Sequence, residues 1–325
     1  MIGGAPAAVD RQTLRTDVVV AGVDVGGTNT KVILATPTLD VVDRIDLPTP
    51  AHAGGAAIVA AAVEAVTDLL DRHRASLTGV GVGAAGVVDR ATGTVLVTGN
   101  SFTGWAGHGV TDSFTAALGV PATLDNDVNA FLLGEVATGA VAGESDVLGM
   151  TLGTGVGGAF VLGGALFAGP RGAAGEIGHV PGFGDALCTC GQIGHLETIA
   201  GARGIADRYA ERSGRRASVR EIAEAARAGD TDAAAVFESA GWGLARAALL
   251  TAGILDVTTV VIGGGIARSW DLLEPAITAA IALEPPVSGA PIRLAQSTLG
   301  SDAVALGAAA QVRDLVLGGA VVNDR

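Results

Sequence analysis

The segment Val18–Ala35, VVVAGVDVGGTNTKVILA, decides the fold of this 325-residue chain. Two apolar runs flank the polar turn DVGGTNTK at residues 24–31. Its glycines let the backbone approach a bound group closely, and its hydroxyl and ammonium groups suit phosphate oxygens. Asp24 can hold the metal ion that accompanies such phosphates. Because β-like sequence follows, and not the helix of a Walker loop, the segment predicts a phosphate-binding hairpin, with an ordinary two-glycine β-turn as the alternative.

The length of 325 residues allows one large domain or two ordinary ones and favours two, and the composition argues against several classes of protein. Apolar residues make up 49% of the chain and charged residues 16%, a balance that argues against disorder. The net charge of −13 is wrong for a surface that binds nucleic acid, since such surfaces need clustered Lys and Arg. A small anionic ligand held in a local turn stays compatible with this charge.

No segment has the pattern of a membrane span or a secretory signal. The most apolar window, residues 56–70, contains Glu64 and Asp68 and predicts an amphipathic helix. Residues 1–16 lack the apolar core of a signal peptide. We therefore expect a cytoplasmic protein with no membrane partner.

A second strand–glycine turn–strand pattern follows the first. Strands and helices alternate through about the first 125 residues, and residues 147–162 then repeat the hairpin around TLGTGVGG. Thr154, between Gly153 and Gly155, adds a hydroxyl to exposed backbone N–H groups, which together suit an anion. Two such hairpins predict a duplicated architecture with a ligand held between the copies.

The segment LDNDVNA, residues 124–130, places carboxylates and amides between a predicted strand and a helix predicted over residues 129–142. A catalytic base is well placed at such a junction, where a helix N-terminus can fix it. This position favours Asp127 as the base and Asn126 as a group that orients a substrate hydroxyl. A simple helix cap is the alternative.

The two cysteines of the chain, Cys188 and Cys190, lie close to His179 and His195. A disulfide between cysteines one residue apart would be strained, so the pair is interpreted as metal ligands or as free thiols. Two imidazoles and two thiolates with close spacing suit tetrahedral zinc, and four protein ligands make the site structural. Glu176 and Glu197 bracket this segment, and each can accept hydrogen bonds from the vicinal hydroxyls of a sugar or lie on the surface.

A glycine triplet, Gly263–Gly265, follows the apolar run at residues 257–262. It offers flat backbone against which a nucleotide base or ribose could lie. A tight turn between a strand and a helix is the alternative.

Taken in order, these motifs resemble those of the ROK kinases and repressors over nearly the whole chain. They are DVGGTNTK, Asn100 in its loop, LDNDVNA, LGTGVGG, GEIGH with the cysteine segment ending at Glu197, VIGGGI and a closing helix with ALGAA. The resemblance implies an α/β, actin-like ATPase (ribonuclease H-like) fold of two domains around an active-site cleft. Residues 1–127 with 308–325 would form the smaller domain, and residues 128–307 the larger one.

The resemblance also implies roles for particular residues. The base that deprotonates the sugar would be Asp127, and the sugar would be held by Asn100, Asn126, Asp127, Glu176, His179 and Glu197. The groups facing magnesium and the phosphates would be Asp24, Gly26, Gly27, Thr28, Lys31 and Thr154, with Gly153 and Gly155 in the second turn and Gly264 and Gly265 on the adenosine side. His179 would bind zinc through one ring nitrogen and face the sugar with the other.

We therefore expect a kinase that uses ATP and magnesium, carries structural zinc and phosphorylates glucose at its 6-hydroxyl. A kinase of N-acetylmannosamine, N-acetylglucosamine, mannose or fructose is the alternative within the same class. A sugar-sensing repressor is less expected, since repressors carry a winged helix ahead of the phosphate turn, and about twenty residues precede it here. The family also suggests a homodimer.

One feature departs from the family pattern. Members usually carry a third cysteine where this chain has His195, and the loop from His179 to Cys188 is one residue shorter than usual. Imidazole can replace thiolate on zinc, so we expect the metal to be retained.

Overall fold

The computed structural model describes residues 18–99 and 101–318. In these residues the strands are β1 Val18–Val25, β2 Asn29–Ala35, β3 Val41–Pro48, β4 Ser76–Ala84, β5 Val87–Asp89, β6 Thr94–Val97, β7 Ala122–Asn126, β8 Val147–Leu152, β9 Val156–Leu162, β10 Ala165–Leu166, β11 Thr259–Gly263 and β12 Arg293–Gln296. The helices are α1 Gly55–His73, α2 Val110–Leu118, α3 Asp127–Ala137, α4 Glu197–Ala200, α5 Ala202–Ser213, α6 Val219–Arg227, α7 Thr231–Leu255, α8 Trp270–Leu283 and α9 Ala303–Val316, with short 3₁₀ helices at Ile177–His179, Ile266–Ser269 and Gly300–Asp302.

Two five-stranded sheets share one topology. The first has the order β3-β2-β1-β4-β7 and the second β10-β9-β8-β11-β12. In each sheet the central strand, β1 or β8, pairs antiparallel with its hairpin partner on one side and parallel with β4 or β11 on the other. The predicted duplication is therefore confirmed, and the two glycine turns occupy equivalent positions in the two sheets.

Strand β1 is buried on both faces because helices cover both sides of the first sheet. Successive side chains of a strand point to opposite faces. Val19 and Val23 pack in a cluster with Ile58 of α1, whereas Val20 packs with Ala309 of α9 on the other face. This explains why residues 18–23 form an uninterrupted apolar run, as expected for a strand buried on both faces.

Helix α9 returns to the first sheet and also packs against α3. Both contacts are so close that only glycine fits. A Cβ atom at Gly81 of β4 would lie 1.8 Å from the carbonyl oxygen of Ala308, and one at Gly307 would lie 1.7 Å from that of Ala130 in α3. The implied return of the closing helix to the first domain is thus observed. The domain boundaries at residues 127 and 308 stay a prediction.

Two predicted helices have different limits in the structure. The helix predicted over residues 129–142 covers 127–137, because Asn126 caps its first turn and the chain leaves helical geometry at Thr138. The sequence of residues 196–212 predicts one helix, but the structure has two, α4 and α5, since Gly201 between them is extended. The short strands β5, β10 and β12 are not predicted from the sequence, because each has too few residues to show an alternation of apolar and polar side chains.

Within residues 18–99 and 101–318, none of the helices combines the length and the apolar character that a bilayer crossing needs.

We expect Gly307→Ala to destabilise the chain by about 3 kcal/mol, because α9 must move away from α3 to admit the methyl group. Gly253→Ala is the matched control: Gly253 is an exposed glycine of α7 whose added Cβ would meet nothing within 4 Å. There the helix propensity of Ala should raise the free energy of unfolding by about 0.5–1 kcal/mol. Denaturant unfolding followed by circular dichroism measures both, and equal effects would contradict the proposed close contact.

Candidate active site

A cleft of about 660 Å³ lies between the two sheets and brings together residues from both hairpins. From the first half it is lined by Asp24, Lys31 and Asp127, and from the second by Gly153, Thr154, Gly155, Glu197 and Gly264. These residues are separated by up to 240 positions in the sequence. The duplicated fold therefore assembles carboxylates, hydroxyls and flat glycine backbone around one space.

The other predicted phosphate and adenosine residues, Gly26, Gly27, Thr28 and Gly265, lie close in sequence to residues of this cleft but do not line it. Gly26, Gly27 and Thr28 form the turn between β1 and β2, and Gly265 begins the 3₁₀ helix after β11. Gly264 has a φ of +90°, and a Cβ there would lie 2.4 Å from the carbonyl oxygen of Leu152. A glycine is therefore required where the second sheet turns toward the cleft.

Asp127 is the first residue of α3, directly after β7, where the sequence places the base. Burial raises the pKa of Asp127 to about 6, hydrogen bonding from the N–H of Val128 opposes this rise, and the negative charge of Glu176 adds to it. Burial also raises the pKa of Asp24 to about 7, and the charge of Asp127 contributes. The charge of Asp127 thus adds to the proton affinity of Asp24, which creates a demand for a cation or a proton beside these two carboxylates.

Asn126 acts as the helix cap of α3, which was the alternative to its substrate role. Its Oδ1 accepts hydrogen bonds from the N–H groups of Val128 and Asn129, and its Nδ2 donates to the carbonyl oxygen of Gly86 at 2.8 Å. Hydrogen bonding from the side chain of Asn126 also opposes the rise in the pKa of Asp127. Asn126 and Glu176 line a second pocket of about 360 Å³, beside the N-terminus of α3.

Lys31 lines the cleft, but acidic side chains hold its ammonium group. Its Nζ lies 2.8 Å from Oδ1 of Asp302 and 3.3 Å from Oδ1 of Asp46, and it donates to Ser301. Asp302 also pairs with Arg44. In this arrangement Lys31 joins β2 to the segment that precedes α9, and the carboxylates neutralise much of the charge predicted to face phosphate.

His179, Cys188, Cys190 and His195 form a compact cluster. Their ligand atoms all lie within 4.8 Å of one another. The two Nδ1 atoms are 3.3 Å apart, Cys188 Sγ lies 3.6 Å from Nδ1 of His179, and Cys190 Sγ lies 3.3 Å from Nδ1 of His195. Zinc bonds of about 2.0 Å to nitrogen and about 2.3 Å to sulfur predict edges of about 3.3–3.8 Å in a tetrahedron.

Three of the six edges of the cluster thus match a tetrahedral zinc site, and the other three stay within 4.8 Å. His195 stands in this cluster in place of a third cysteine. Because both histidines offer Nδ1 to the cluster, Nε2 of His179 is left for another partner. The donor set of two thiolates and two imidazoles matches the chemistry that zinc selects.

Glu197 connects this cluster to the second glycine turn. Its Oε1 accepts a hydrogen bond from Oγ1 of Thr189 at 2.8 Å, and its Oε2 accepts one from the N–H of Val156 at 3.3 Å. A Cβ at Gly155 would lie 2.0 Å from Oε2 of Glu197. The metal cluster and the turn that lines the cleft are thus mechanically linked. Asn100, the remaining predicted sugar ligand, lies outside the described residues.

The structure adds a buried carboxylate that the sequence analysis did not single out. Asp125 is fully buried and accepts hydrogen bonds from Asn129 and Gln311, both at 2.8 Å, and Nε of Arg90 lies 3.0 Å from it. Burial raises the pKa of Asp125, against the effect of Arg90. Asp125 joins β7 to α3 and α9. The sequence around Asp125 does not identify its partners Arg90 and Gln311, because both are distant along the chain.

Comparisons with known proteins cover nearly the whole chain. The sequence model of the ROK family matches residues 20–315. A protein of Halalkalibacterium halodurans named glucokinase is 36% identical over 308 residues, which are 88% of this chain and 92% of that protein.

Two solved structures are similar as well. A ROK hexokinase from Thermus thermophilus has a TM-score of 0.78 and 29% identity, over 90% of this chain and 97% of its own. A ROK family glucokinase from Streptomyces griseus, in complex with glucose and AMPPNP, has a TM-score of 0.75 and 28% identity, over 90% of this chain and 98% of its own. The predicted α/β, actin-like ATPase fold is thereby confirmed.

We expect the purified chain to carry about one zinc ion, measured by mass spectrometry of the metal. His195→Ala should lose most of this zinc, because three ligands bind it less tightly, and it should unfold at a lower temperature. His195→Cys is the matched control and should keep the metal, since thiolate and imidazole both bind zinc. Zinc content and melting temperature that are unchanged in His195→Ala would contradict the proposed metal site.

Proposed function

This chain belongs to the ROK family and is a sugar kinase, and we propose that it transfers the γ-phosphate of ATP to the 6-hydroxyl of glucose. The observation that carries the proposal is the position of Asp127 in the cleft between the two glycine turns. The 36% identity to a protein named glucokinase and the similarity to a glucokinase solved with glucose and AMPPNP support this choice of substrates.

Asp127 would accept the proton of the attacking hydroxyl. A base acts best when its pKa lies near the working pH, and the raised pKa of about 6 makes Asp127 a stronger base than an ordinary carboxylate. The N-terminus of α3 stabilises the charged form and fixes its direction. Phosphoryl transfer depends mostly on positioning and charge neutralisation, so one base at the sugar and donors at the phosphates suffice.

Magnesium fits the cleft because Asp24 supplies an oxygen ligand beside a second carboxylate. Asp24 would hold the ion, which neutralises the phosphate charge. The first turn, residues 26–28, and Thr154 would donate to phosphate oxygens, and Gly264 would lie beside the adenosine.

The sugar hydroxyls would be bound by Glu176, Glu197 and Nε2 of His179. Zinc would hold His179 and the loop around it in place.

We also propose a homodimer, which sedimentation would report at twice the chain mass of 31.9 kDa. Its support is an apolar surface at the end of α7, where Ile254 is 76% exposed and Leu250 and Leu255 are each about 40% exposed, all three lining one groove. Large exposed apolar patches usually mark a contact surface.

A panel of acceptors tests the assignment, with ATP and polyphosphate as donors. Glucose with ATP should give the highest kcat/KM among glucose, mannose, fructose, N-acetylglucosamine and N-acetylmannosamine.

Asp127→Asn should lower kcat by about 10²–10⁴-fold while glucose binding stays measurable, because a base is lost and the fold is kept. The control Asp146→Asn, at a carboxylate that accepts hydrogen bonds from Ser145 and from the N–H of Gly163, away from the glycine turn, should keep kcat within about threefold.

Two outcomes would contradict this proposal. A hexosamine that outperforms glucose would replace the substrate assignment and leave the kinase in place. An absence of turnover with every acceptor and donor would end the kinase proposal itself.

The pH dependence of kcat/KM gives a separate check. Below its pKa, Asp127 holds a proton and cannot accept another. At saturating magnesium, which would keep Asp24 ionised, kcat/KM should therefore fall about tenfold per pH unit below about pH 6. Glu176→Gln removes a negative charge that raises this pKa, so its acidic limb should move to lower pH even though sugar binding also weakens. A limb that does not move, or one centred near pH 4, would contradict the role given to Asp127.

A further inference from the structure

We propose that Thr49 is a positioning residue that sets the geometry of the first phosphate turn. Thr49 follows β3 and lies beside the turn at residues 26–30, without belonging to any of the motifs that carry the family resemblance. The inference rests on the proposed function, because it takes the ligand of that turn to be a nucleotide phosphate.

Two threonine hydroxyls and a backbone carbonyl form a directed chain. Oγ1 of Thr49 donates to the carbonyl oxygen of Gly26 at 2.7 Å, and it lies 2.8 Å from Oγ1 of Thr30. Since the single hydroxyl proton of Thr49 is used on Gly26, the hydroxyl of Thr30 must be the donor to Thr49. Hydrogen bonds in such a chain polarise and strengthen one another.

The chain fixes a peptide plane that the phosphate would meet. In a trans peptide the carbonyl group and the following N–H point in opposite directions. Holding the carbonyl of Gly26 toward Thr49 therefore fixes the direction of the N–H of Gly27, one of the predicted phosphate donors. A glycine has no side chain to restrict its backbone, so a turn with two glycines needs an external constraint of this kind.

Nothing else in the described structure can replace this constraint. Thr30 is 1% exposed, and Thr49 is the partner of its hydroxyl, so loss of Thr49 would leave a buried hydroxyl unpaired. Two backbone hydrogen bonds close the turn, from the N–H of Gly26 to the carbonyl oxygen of Asn29 and from the N–H of Thr49 to that of Thr28. Among the described residues, neither bond supplies a second donor to the carbonyl oxygen of Gly26.

The same segment also contacts the loop that carries Asn100. The N–H of Thr103 donates to the carbonyl oxygen of Ala51 at 2.8 Å. An added Cβ at Gly27 would lie 3.1 Å from Cβ of Ser101. The first phosphate turn thus bonds to Thr49 and lies close to Ser101 of the loop that carries Asn100.

The test compares Thr49→Val, which removes the hydroxyl at nearly constant volume, with Thr49→Ser, which keeps it. The matched control is Thr78→Val. Thr78 makes the same kind of bond, from Oγ1 to the carbonyl oxygen of Val19 at 3.0 Å, at the opposite end of β1. Calorimetric titration with magnesium and AMPPNP measures nucleotide binding without turnover, and hydrogen exchange of the amides at residues 26–30 reports the order of the turn.

We expect Thr49→Val to weaken AMPPNP binding at least about tenfold and to speed exchange at residues 26–30, because a charge-assisted hydrogen bond from a misdirected N–H is lost. Thr49→Ser should bind within about threefold of the natural chain. Thr78→Val should lower the melting temperature about as much as Thr49→Val does, and leave AMPPNP affinity unchanged.

Unchanged AMPPNP affinity in Thr49→Val would overturn the inference, as would an equal loss of affinity in Thr78→Val, since that would indicate a general loss of stability. The failure of the proposed function is a different result. If the natural chain binds AMPPNP and the Thr49 variants behave as described while no sugar is phosphorylated, the inference stands and the kinase assignment falls.

Discussion

The close contact of α9 with the first sheet and with α3 is the constraint on which the cleft depends. Gly81, Gly134 and Gly307 remove the side chains that would keep these backbones apart. Because α3 begins with Asp127 and α9 follows the segment that pairs with Lys31, the same contact sets the position of the base relative to the first glycine turn. Apolar packing thus determines where charged groups of the cleft meet.

Features encoded by neighbouring residues could be predicted from the sequence. The hairpins, the junction at Asp127 and the zinc cluster all depend on short separations, and the structure brings the cluster together as expected. The pairs Lys31–Asp302 and Asp125–Gln311 could not be foreseen, because nothing near any of these residues marks its partner. The helix limits at Thr138 and Gly201 were missed since propensity alone does not locate a cap.

The carboxylates that would bind ligands in the cleft lower the free energy of unfolding of the protein. Asp24 and Asp127 both have a raised pKa, so their ionised forms cost folding free energy at neutral pH. The surrounding fold tolerates this cost because its sheets are covered on both faces. Magnesium at Asp24 would offset part of the repulsion, which makes the folded state more stable when the site is filled.

Since α9 covers the face of the first sheet that contains Val20 and Ile33, that face has no partner until residues 303–316 have left the ribosome. The amino-terminal half must therefore wait, with part of its apolar surface in water, for the whole second half to be synthesised. During translation this exposed apolar surface makes the amino-terminal half prone to aggregate until α9 covers it.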